Sequence, residues 1–515
     1  MSPAARSSQP SAIIIGAGIA GLATAVRLLA GGMRVTILER HAHLGGKIRT
    51  VASAAGPVDA GPTVLTMRHV FDDLFACAGT RLDDHVTLTR QDLLARHFWP
   101  DGSRLDLFAD TEKSAEAIAA FAGPKAAQQF RRFHSRTGTL FQAFDAPMMQ
   151  APKPNLATLV PYVLARPHLI PAMAPLSTLY QSLRGQFSDP RLAQLFGRYA
   201  TYVGGSPHLS PALLALIWQA EATGVWIVEG GMHKLAEAVA NLARTMGAKV
   251  CQHAHVERIE TRNGRACGVY MADGTRLDAD VIVHAGDPRA LPTGALGQAV
   301  SGVAPQTATQ PRSFSARVHS FAATAAGLDL AHHNVMFAAD PLAEFKDLQA
   351  GRIPSRPSIY ICAMDRGQGQ DPPELERFEI ITNAPATNSK TLQTETDLDT
   401  WHHQIFSTMK VFGLRFSPTP TIRSITTPQN FAQMFPASLG ALYGQSPHGM
   451  TASLKRPTAA SGLPGLWLVG GGTHPGAGVP MATLSARHAA EAILRDQTSI
   501  SMSAPMAMPG GISTA

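Results

Sequence analysis

Near the start of the chain, short apolar runs alternate with glycine-rich turns and one stretch of helical spacing. Residues 12–15 (AIII) form a continuous apolar run typical of a buried β-strand, and residues 16–21 (GAGIAG) follow as a turn. Residues 22–32 have helical spacing that stops at a Gly-Gly pair, and residues 34–40 (RVTILER) have the pattern of a second strand. The pattern therefore predicts a strand, helix, strand unit.

An apolar segment so close to the N-terminus could also be a secretory signal or a membrane anchor. Arg27 interrupts this run before it reaches the roughly 20 residues needed to cross a bilayer. No convincing cleavage site follows it. We therefore interpret the segment as part of the folded protein, and no other uninterrupted apolar run in the sequence is long enough to span a membrane.

The next part of the chain changes from strand patterns to helix patterns. Residues 85–110 predict short alternating strands with a hairpin turn at Asp101-Gly102, and residues 111–220 are mostly helical in pattern. Residues 148–180 are apolar but broken repeatedly by proline, so they cannot form one long helix. One interpretation is a set of short apolar helices that cover an apolar cavity or lie on a membrane. The other is an ordinary helical subdomain with proline-rich connections.

The second half of the chain returns to strands. Residues 224–250 predict a strand, a Gly-Gly turn and an amphipathic helix, and residues 255–288 predict a meander that ends in a fully buried strand. In residues 465–493 a buried strand leads into a cluster of glycines, after which a helix begins near Val479. The residues from 497 onward are small and polar, which predicts a disordered tail.

The composition is that of a globular protein with an unusually low proportion of charged residues. The chain has 515 residues, enough for two or three domains, with 45% apolar and only 16% charged residues. The net charge of +7 favours an anionic partner. Because Lys and Arg are not interleaved with aromatic residues, a phospholipid surface is favoured over nucleic acid, although the charge could serve solubility alone. Four scattered cysteines predict neither a disulfide framework nor a metal site, so a reducing cytoplasm is expected.

Gly16, Gly18 and Gly21 have the Gly-x-Gly-x-x-Gly spacing of a dinucleotide-binding turn. The first glycine allows a tight turn, the second lets a pyrophosphate approach the backbone, and the third lets the helix pack closely on the strand. The helix N-terminus offers free N–H groups to the phosphates. Glu39 ends the second strand about 20 residues later, where its carboxylate can accept a ribose hydroxyl. Together these features predict a bound dinucleotide.

Two further glycine clusters favour FAD over NAD. Arg40, the pair Gly45-Gly46 and Lys47 follow the second strand, and this stretch resembles the Gly-Gly-Arg extension of the glutathione-reductase-like and amine-oxidase-like flavoproteins. Lysine in place of arginine keeps the charge but loses the bidentate fork. At the late glycine cluster, the N-terminus of the helix that begins near Val479 can stabilise the negative charge of a reduced flavin.

The order of these motifs makes the chain similar to a known family. GAGIAG, ER, LGGK, DAGPT, EGGM and VGGGTHPGAGVPMA occur in the order found in carotenoid desaturases of the bacterial phytoene-desaturase type, over nearly the whole chain. The resemblance is greatest to the hydroxycarotenoid (methoxyneurosporene) branch, the 1-hydroxycarotenoid 3,4-desaturases. It implies an α/β fold: an FAD-binding Rossmann-like domain of the glutathione-reductase/amine-oxidase type with an interleaved substrate domain that contains a mixed sheet and a helical lid.

The same resemblance implies a division into domains and a set of FAD-binding residues. Residues 11–75, 225–290 and 455–496 would form the discontinuous FAD-binding domain, and residues 76–224 and 291–454 the substrate- and membrane-facing domain. Val256 would meet adenine through its backbone. The FAD-binding residues implied by the resemblance are Gly16, Gly18, Gly21, Glu39, Arg40, Gly46, Lys47, Val256, Gly472 and Met481.

The implied reaction is FAD-dependent dehydrogenation of a C–C bond beside the polyene of an acyclic, hydroxylated carotenoid such as hydroxyneurosporene. A hydride leaves to the flavin, the conjugated cation is stabilised by delocalisation, and a neighbouring proton is lost. Because the conjugated polyene itself stabilises most of the charge that develops, the protein mainly orients the substrate, excludes water and adjusts the hydride affinity of the flavin. Oxygen or a quinone is the expected electron acceptor, and peripheral attachment to a membrane would give access to the substrate.

The sequence assigns no catalytic residue, since it shows no recognisable acid–base dyad or nucleophile–His pair. His474, in the late glycine turn, could accept the proton, but a structural hydrogen bond is the favoured explanation for it. The late strand leads into VGGGTHPG, without the Gly-Asp typical of flavin hydroxylases, which argues against a hydroxylase.

Three alternative functions remain open at this point. The first is a carotenoid isomerase or saturase with the same fold. The second is an amine or porphyrinogen oxidase, for which no charged substrate clamp is visible in the sequence. The third is a non-catalytic prenyl-lipid carrier, in which a decayed cofactor site would be expected.

Overall fold

The computed structural model describes residues 9–387 and 394–503, with side chains up to Gln497. Its β-strands are β1 (Ser11–Ile15), β2 (Arg34–Leu38), β3 (Thr50–Val51), β4 (Val58–Asp59), β5 (Leu88–Arg90), β6 (Leu93–Phe98), β7 (Arg104–Phe108), β8 (Trp226–Val228), β9 (Lys249–Cys251), β10 (Val256–Arg262), β11 (Arg265–Met271), β12 (Arg276–Asp278), β13 (Val281–His284), β14 (Ser315–Ala326), β15 (His333–Met336), β16 (Ile359–Ala363), β17 (Glu376–Ala384), β18 (Arg415–Ser417), β19 (Ile425–Thr426) and β20 (Leu466–Leu468).

Its α-helices are α1 (Ile19–Ala30), α2 (His69–Ala76), α3 (Thr111–Ala122), α4 (Pro124–Phe144), α5 (Leu156–Leu164), α6 (Leu169–Met173), α7 (Leu179–Gln186), α8 (Pro190–Gly197), α9 (Ile217–Ala222), α10 (His233–Thr245), α11 (Pro341–Gln349), α12 (Glu395–Val411), α13 (Pro428–Met434) and α14 (Val479–Ser503).

The first sheet is parallel and buried on both faces. Its five strands have the order β20-β13-β1-β2-β9. Alternate residues of each strand enter two different cores: Ile14 packs with α1, α10 and α14, whereas Ile13 packs with the meander β10–β12. Burial on both faces explains why these strands appear in the sequence as continuous apolar runs. The predicted strand, helix, strand unit is confirmed.

The second sheet is mixed and larger. Its main path is β18-β14-β17-β16-β15-β6-β7, with β19 beside β14. Only the β15–β6 pairing along this path is parallel. Helix α12 packs on one core of this sheet, and α3, α4, α7 and α8 share another core with β6 and β7. The predicted α/β class, with a parallel nucleotide-binding type of sheet and a second mixed sheet, is confirmed.

The proline-rich stretch forms short helices, as its sequence requires. α4 is followed by one turn of π-helix at Asp145–Gln150, and then by α5 and the five-residue helix α6. Pro161 lies inside α5. Within the described residues, no helix is both long enough and apolar enough to cross a membrane.

The last helix extends further than its composition suggests. α14 continues to Ser503, past residue 497, where the polar composition predicts the start of a disordered tail. Residues 504–515 of that predicted tail lie outside the described residues. The predicted domain boundaries stay a prediction, although every strand of the parallel sheet comes from the three segments assigned to FAD.

Candidate functional site

The first glycine turn joins β1 to α1, and its glycines leave the backbone uncovered by side chains. Gly16 has a φ of +101°, which favours glycine, and its N–H donates to the carbonyl of Leu38 over 2.8 Å. A Cβ on Gly21 would lie 2.1 Å from the carbonyl oxygen of Gly16. Helix α1 can therefore approach the turn only because residue 21 has no side chain. Gly18 is the N-cap of α1, and a Cβ there would meet nothing closer than 4.0 Å.

Glu39 holds this turn through its carboxylate. The residue follows β2 and is only 5% exposed. Its Oε2 accepts the N–H of Ala17 at 2.8 Å, and its Oε1 accepts the N–H of His41 at 2.9 Å. Each carboxylate oxygen can accept a second hydrogen bond, so the group still has capacity for a ligand hydroxyl. The ribose contact itself stays a prediction.

The Gly45-Gly46 pair packs directly on the first glycine turn. The N–H of Gly45 donates to the carbonyl of Ala17 at 2.9 Å. Gly46 has a φ of +61°, and a Cβ there would lie 2.9 Å from the Cα of Gly18. Two chain segments thus meet through backbone alone, and Gly18 and Gly46 both line the cavity described below.

Lys47 is a partly buried cation that lies near other charged side chains. Its Nζ donates to the carbonyl of Leu442 and lies 5.5 Å from the centroid of the Phe435 ring. Burial lowers the pKa of Lys47 to about 8; the charge of Asp287 opposes this shift, and Arg312 and Arg456 add to it. A phosphate contact, as implied by the resemblance, stays a prediction.

Lys47→Met is expected to stabilise the cofactor-free protein at pH 7 by about 1–3 kcal/mol. In the wild type, folding transfers the charged ammonium group of Lys47 from water into a partly buried position, and methionine removes that cost. The folded pKa lies below the ordinary value of 10.5. The unfolded chain therefore binds the extra proton between pH 8 and 10.5, and the wild type gains stability as the pH rises through that window. Urea unfolding at both ends of the window measures this. Lys47→Met should lose the rise, whereas the exposed control Lys234→Met should keep it.

Val256 and Arg40 lie at another edge of the same region. Val256 is buried at the start of β10 and lines the cavity beside His255. Arg40 is exposed, and its charge helps to lower the pKa of His255, which burial lowers most. Val256 thus lies in the wall of the cavity, and its backbone contact with adenine stays a prediction.

The late glycine cluster connects β20 to α14. The N–H of Gly470 donates to Ser485 Oγ at 2.8 Å, and a Cβ on Gly472 would lie 2.5 Å from Cδ of Pro288. Met481 is in the first turn of α14 and lines the cavity. The N-terminus of α14 therefore faces the cavity, where its free N–H groups favour negative charge.

These segments surround one cavity of about 820 Å³. Of the residues assigned to FAD, only Gly21 is not part of its lining, because Gly21 is packed inside the turn. The lining residues from the assigned set are Gly16, Gly18, Glu39, Arg40, Gly46, Lys47, Val256, Gly472 and Met481. Beyond them the lining becomes mainly apolar, with Phe141, Met149, Met173, Leu214, Ile217, Val318, Val335 and Ile381.

The cradle fits FAD. The glycine turns and the N-termini of α1 and α14 supply hydrogen-bond donors for a pyrophosphate. The buried Glu39 carboxylate supplies an acceptor for a ribose hydroxyl. Gly21 and Gly46 could not be replaced by residues with side chains, because their Cβ atoms would collide with backbone. The geometry therefore supports the cofactor that the glycine motifs predict.

His474 is directed away from this cavity. Its Nε2 is 2.8 Å from the carbonyl oxygen of Ala151, and its ring stacks on that of His488 with centroids 5.7 Å apart. Burial lowers the pKa of His474. The neighbouring Pro475 lines the cavity, but His474 itself does not. The structure therefore favours the structural hydrogen bond over a role as proton acceptor.

Sequence reasoning missed Arg456. Its Nη1 donates to the carbonyl of Gly471 at 2.7 Å, and its Nη2 donates to the carbonyls of Tyr443 and Gln445, both at 3.1 Å. Burial lowers its pKa to about 10. Arg456 thus ties the late glycine turn to the 443–445 segment. The surrounding sequence has no motif that would identify it.

Sequence reasoning also missed Asp287, which pairs with Arg312. Both side chains are 9% exposed, and Asp287 lines the cavity. Asp287 comes three residues after β13, at the carboxyl end of a parallel strand. Ligand sites of α/β sheets lie at that end of the strands, so this position was a usable signal.

The cavity wall carries two charged residues that the sequence did not reveal. Arg198 and Glu221 both line the cavity, and Glu221 is 5% exposed. The two residues are 23 positions apart with no recognisable spacing, and only folding brings them to one wall.

Comparison with known proteins agrees with this geometry. The family described as flavin containing amine oxidoreductase matches residues 19–319. The chain is 53% identical to hydroxyneurosporene desaturase of Cereibacter sphaeroides, over 95% of this chain and 98% of the relative. It is 49% identical to hydroxyneurosporene desaturase of Rhodobacter capsulatus, over 96% of this chain and 99% of the relative. Cyclohexylamine oxidase from Brevibacterium oxydans has a similar fold, with a TM-score of 0.57 at 16% identity over 95% of this chain and all of that one.

Proposed function

Because the chain belongs to the flavin-containing amine oxidoreductases and to the carotenoid desaturases, we propose that it desaturates an acyclic carotenoid with a hydroxylated end group, such as hydroxyneurosporene. The observation that carries the proposal is a single cavity that joins a dinucleotide cradle to a long apolar wall. A polyene needs such a wall, because its own surface offers no polar groups.

Bound FAD supplies the hydride acceptor in this chemistry. The protein's part is to hold and shield the reacting bond. Apolar side chains such as Val318 and Ile381 exclude water from the polyene, and the N-terminus of α14 favours negative charge at the cradle. We propose oxygen or a quinone as the final electron acceptor.

The alternatives fit less well. A non-catalytic prenyl-lipid carrier would not need the Glu39 carboxylate and the packed glycine turns, which are all in place. An isomerase, a saturase or an amine-type oxidase is disfavoured by 53% and 49% identity to two desaturases.

The direct test is anaerobic. FAD-loaded protein is mixed with liposomes that carry hydroxyneurosporene, neurosporene or lycopene, and the visible spectrum is recorded. We expect bleaching of the flavin together with a red shift of the polyene bands. Flavin that stays oxidised with every polyene, in protein shown to contain FAD, would contradict the desaturase function.

We further infer that α5 and α6 rest on a membrane surface. Leu156, Val160 and Leu164 are spaced one helical turn apart and are 54%, 50% and 65% exposed. Nearby, Leu176 is 98% exposed, and Met173 at the end of α6 lines the cavity. Exposed apolar residues next to a residue of the cavity wall suit extraction of an apolar substrate from lipid. We propose that the cytoplasmic face of a membrane is the site of action, which the free cysteines support.

The double variant Val160→Asp/Leu164→Asp is expected to lower the membrane-bound fraction by at least about 10-fold, because it removes two apolar anchors and adds negative charge. Flotation with anionic liposomes at low salt measures this. Val411, at the end of α12, is 80% exposed and provides the matched control. Equal loss of binding in Val411→Asp, or full flotation of the double variant, would contradict the assignment of this face.

A further inference from the structure

One patch of the cavity wall is charged although its neighbours are apolar. Arg198 and Tyr202 come from the turn after α8, and Glu221 comes from α9; all three line the cavity. Glu221 accepts a hydrogen bond from the hydroxyl of Tyr199 at 2.6 Å. The guanidinium carbon of Arg198 lies 5.0 Å from the centroid of the Tyr202 ring. Burial raises the pKa of Tyr202, so its hydroxyl stays protonated and can donate.

This patch is continuous with the cradle end of the cavity through Tyr360. The Tyr360 hydroxyl is 2.7 Å from Thr63 Oγ1 and 2.8 Å from Nδ1 of His333, and Tyr360 and Thr63 both line the cavity. Thr63 follows Gly61, where a Cβ would lie 2.0 Å from the carbonyl oxygen of Lys47. Val335 pairs with Tyr360 between β15 and β16, and both residues line the same cavity as Arg198.

The patch has hydrogen-bonding capacity that the protein does not use. Among the described residues of this wall, Arg198 has a buried Nε without a hydrogen-bond partner. Ile217, Val335 and Ile381 line the surrounding wall. A pure hydrocarbon placed against this patch would remove water from the charged groups without replacing the hydrogen bonds that water makes to them, which is unfavourable. A ligand with a polar end group would replace them.

We propose that Arg198, Tyr202 and Glu221, together with Tyr360, form the subsite for the end-group hydroxyl of the carotenoid. An alcohol both donates and accepts a hydrogen bond. It can therefore accept from Arg198 or Tyr202 and donate to the Glu221 carboxylate at the same time. A methyl ether can only accept, and a hydrocarbon end can do neither. The subsite thus ranks free hydroxyl above methoxyl, and methoxyl above hydrocarbon.

If the proposed function is correct, the distance between the hydroxyl and the reacting bond of the substrate suits the position of the subsite. In a 1-hydroxycarotenoid the hydroxyl is on C1, two carbons from the C3–C4 bond that is to be oxidised. A hydroxyl site continuous with the cradle end of the cavity therefore fixes that bond at one place along the long apolar wall. Fixing position in this way is the main contribution a protein can make to such a reaction.

The test compares three end groups in wild type and in Tyr202→Phe. Single-turnover flavin reduction is followed with 1-hydroxyneurosporene, methoxyneurosporene and neurosporene in otherwise identical liposomes, and the Kd of each polyene is measured from the shift of its absorption bands. Tyr202→Phe is expected to lower the rate or affinity with the hydroxylated polyene by about 10- to 100-fold, and to change neurosporene by less than about twofold.

A second variant replaces both charged residues together. Arg198→Met/Tyr199→Phe/Glu221→Leu keeps the volume with apolar side chains, and it also removes the Tyr199 hydroxyl, which would otherwise lose its Glu221 acceptor. It should remove the preference for the hydroxyl while keeping activity on neurosporene. Ile217→Ala, which changes the neighbouring apolar wall, is the matched control and should affect all three polyenes alike.

The outcomes separate this inference from the function on which it rests. Wild type that reduces its flavin equally fast with all three polyenes, or a Tyr202→Phe variant that slows all three equally, overturns the hydroxyl subsite and leaves the desaturase function standing. Wild type that reduces its flavin with none of them overturns the function itself. Selective loss on the hydroxylated polyene supports the subsite.

Discussion

Gly21→Ala is expected to abolish FAD binding and to destabilise the protein by about 3 kcal/mol or more. The new Cβ would lie 2.1 Å from the carbonyl oxygen of Gly16 and 3.1 Å from the Cβ of Ala285. The nearest atom belongs to the backbone of the turn itself, so it cannot rotate away like a flexible side chain. Helix α1 would have to move off the turn, and its N-terminus would no longer face the cradle. Flavin absorbance of the purified protein and its urea midpoint measure the two effects.

Gly185→Ala is the matched control for this change. Gly185 lies inside α7, and a Cβ there meets nothing within 4 Å. Alanine in an open helical position should stabilise the helix by roughly 0.5–1 kcal/mol and should leave FAD content unchanged. If Gly21→Ala retained FAD as fully as Gly185→Ala does, the close packing of α1 on the turn would not be needed for the cofactor.

Asp287→Asn is expected to destabilise the protein by about 3–5 kcal/mol, since it removes the carboxylate that several buried cations share. Asp287 pairs with Arg312, and both side chains are 9% exposed. Its charge also supports the protonated forms of Lys47 and Arg456, whose pKa values burial lowers. Asparagine can still accept the N–H of Arg289, as Asp287 does at 3.0 Å, so the change isolates the charge. Urea unfolding at pH 7 gives the stability.

Asp329→Asn is the exposed counterpart. Asp329 pairs with Arg96 at 2.5 Å, but its side chain is 71% exposed, so its loss should cost less than about 1 kcal/mol. The double variant Asp287→Asn/Arg312→Leu should recover part of the stability lost in Asp287→Asn, because one of the unpaired cations is removed. Equal stability of Asp287→Asn and Asp329→Asn would show that the buried cations do not depend on this carboxylate.

The local parts of the cradle could be predicted from the sequence. Gly16, Gly45 and Gly46 adopt positive φ angles, and Gly21 and Gly46 stand where a Cβ would collide with backbone. Such requirements act over a few residues, so they leave a readable pattern of glycines between apolar runs. Glu39 was predicted for the same reason, because its distance from the turn is set by one helix and one strand.

The electrostatic parts of the site could not be predicted in this way. Tyr360 meets Thr63 across 297 positions, and Lys47 meets Leu442 across 395. Arg198, Glu221, Arg312 and Arg456 stand in ordinary local sequence. Nothing in the local pattern shows which charged side chains will be desolvated together, because that depends on how two sheets and several helices come together.

The direction of side chains was likewise decided by tertiary structure. The sequence placed His474 in the late glycine turn, next to residues that line the cavity. Only packing against the 145–151 segment turns its ring toward Ala151 and His488. The sequence by itself thus determined the cofactor class, the α/β architecture and the position of the glycine turns, since these follow from backbone conformation and apolar periodicity. The tertiary structure alone decided which polar groups reach the cavity, since that depends on contacts between residues far apart in the chain.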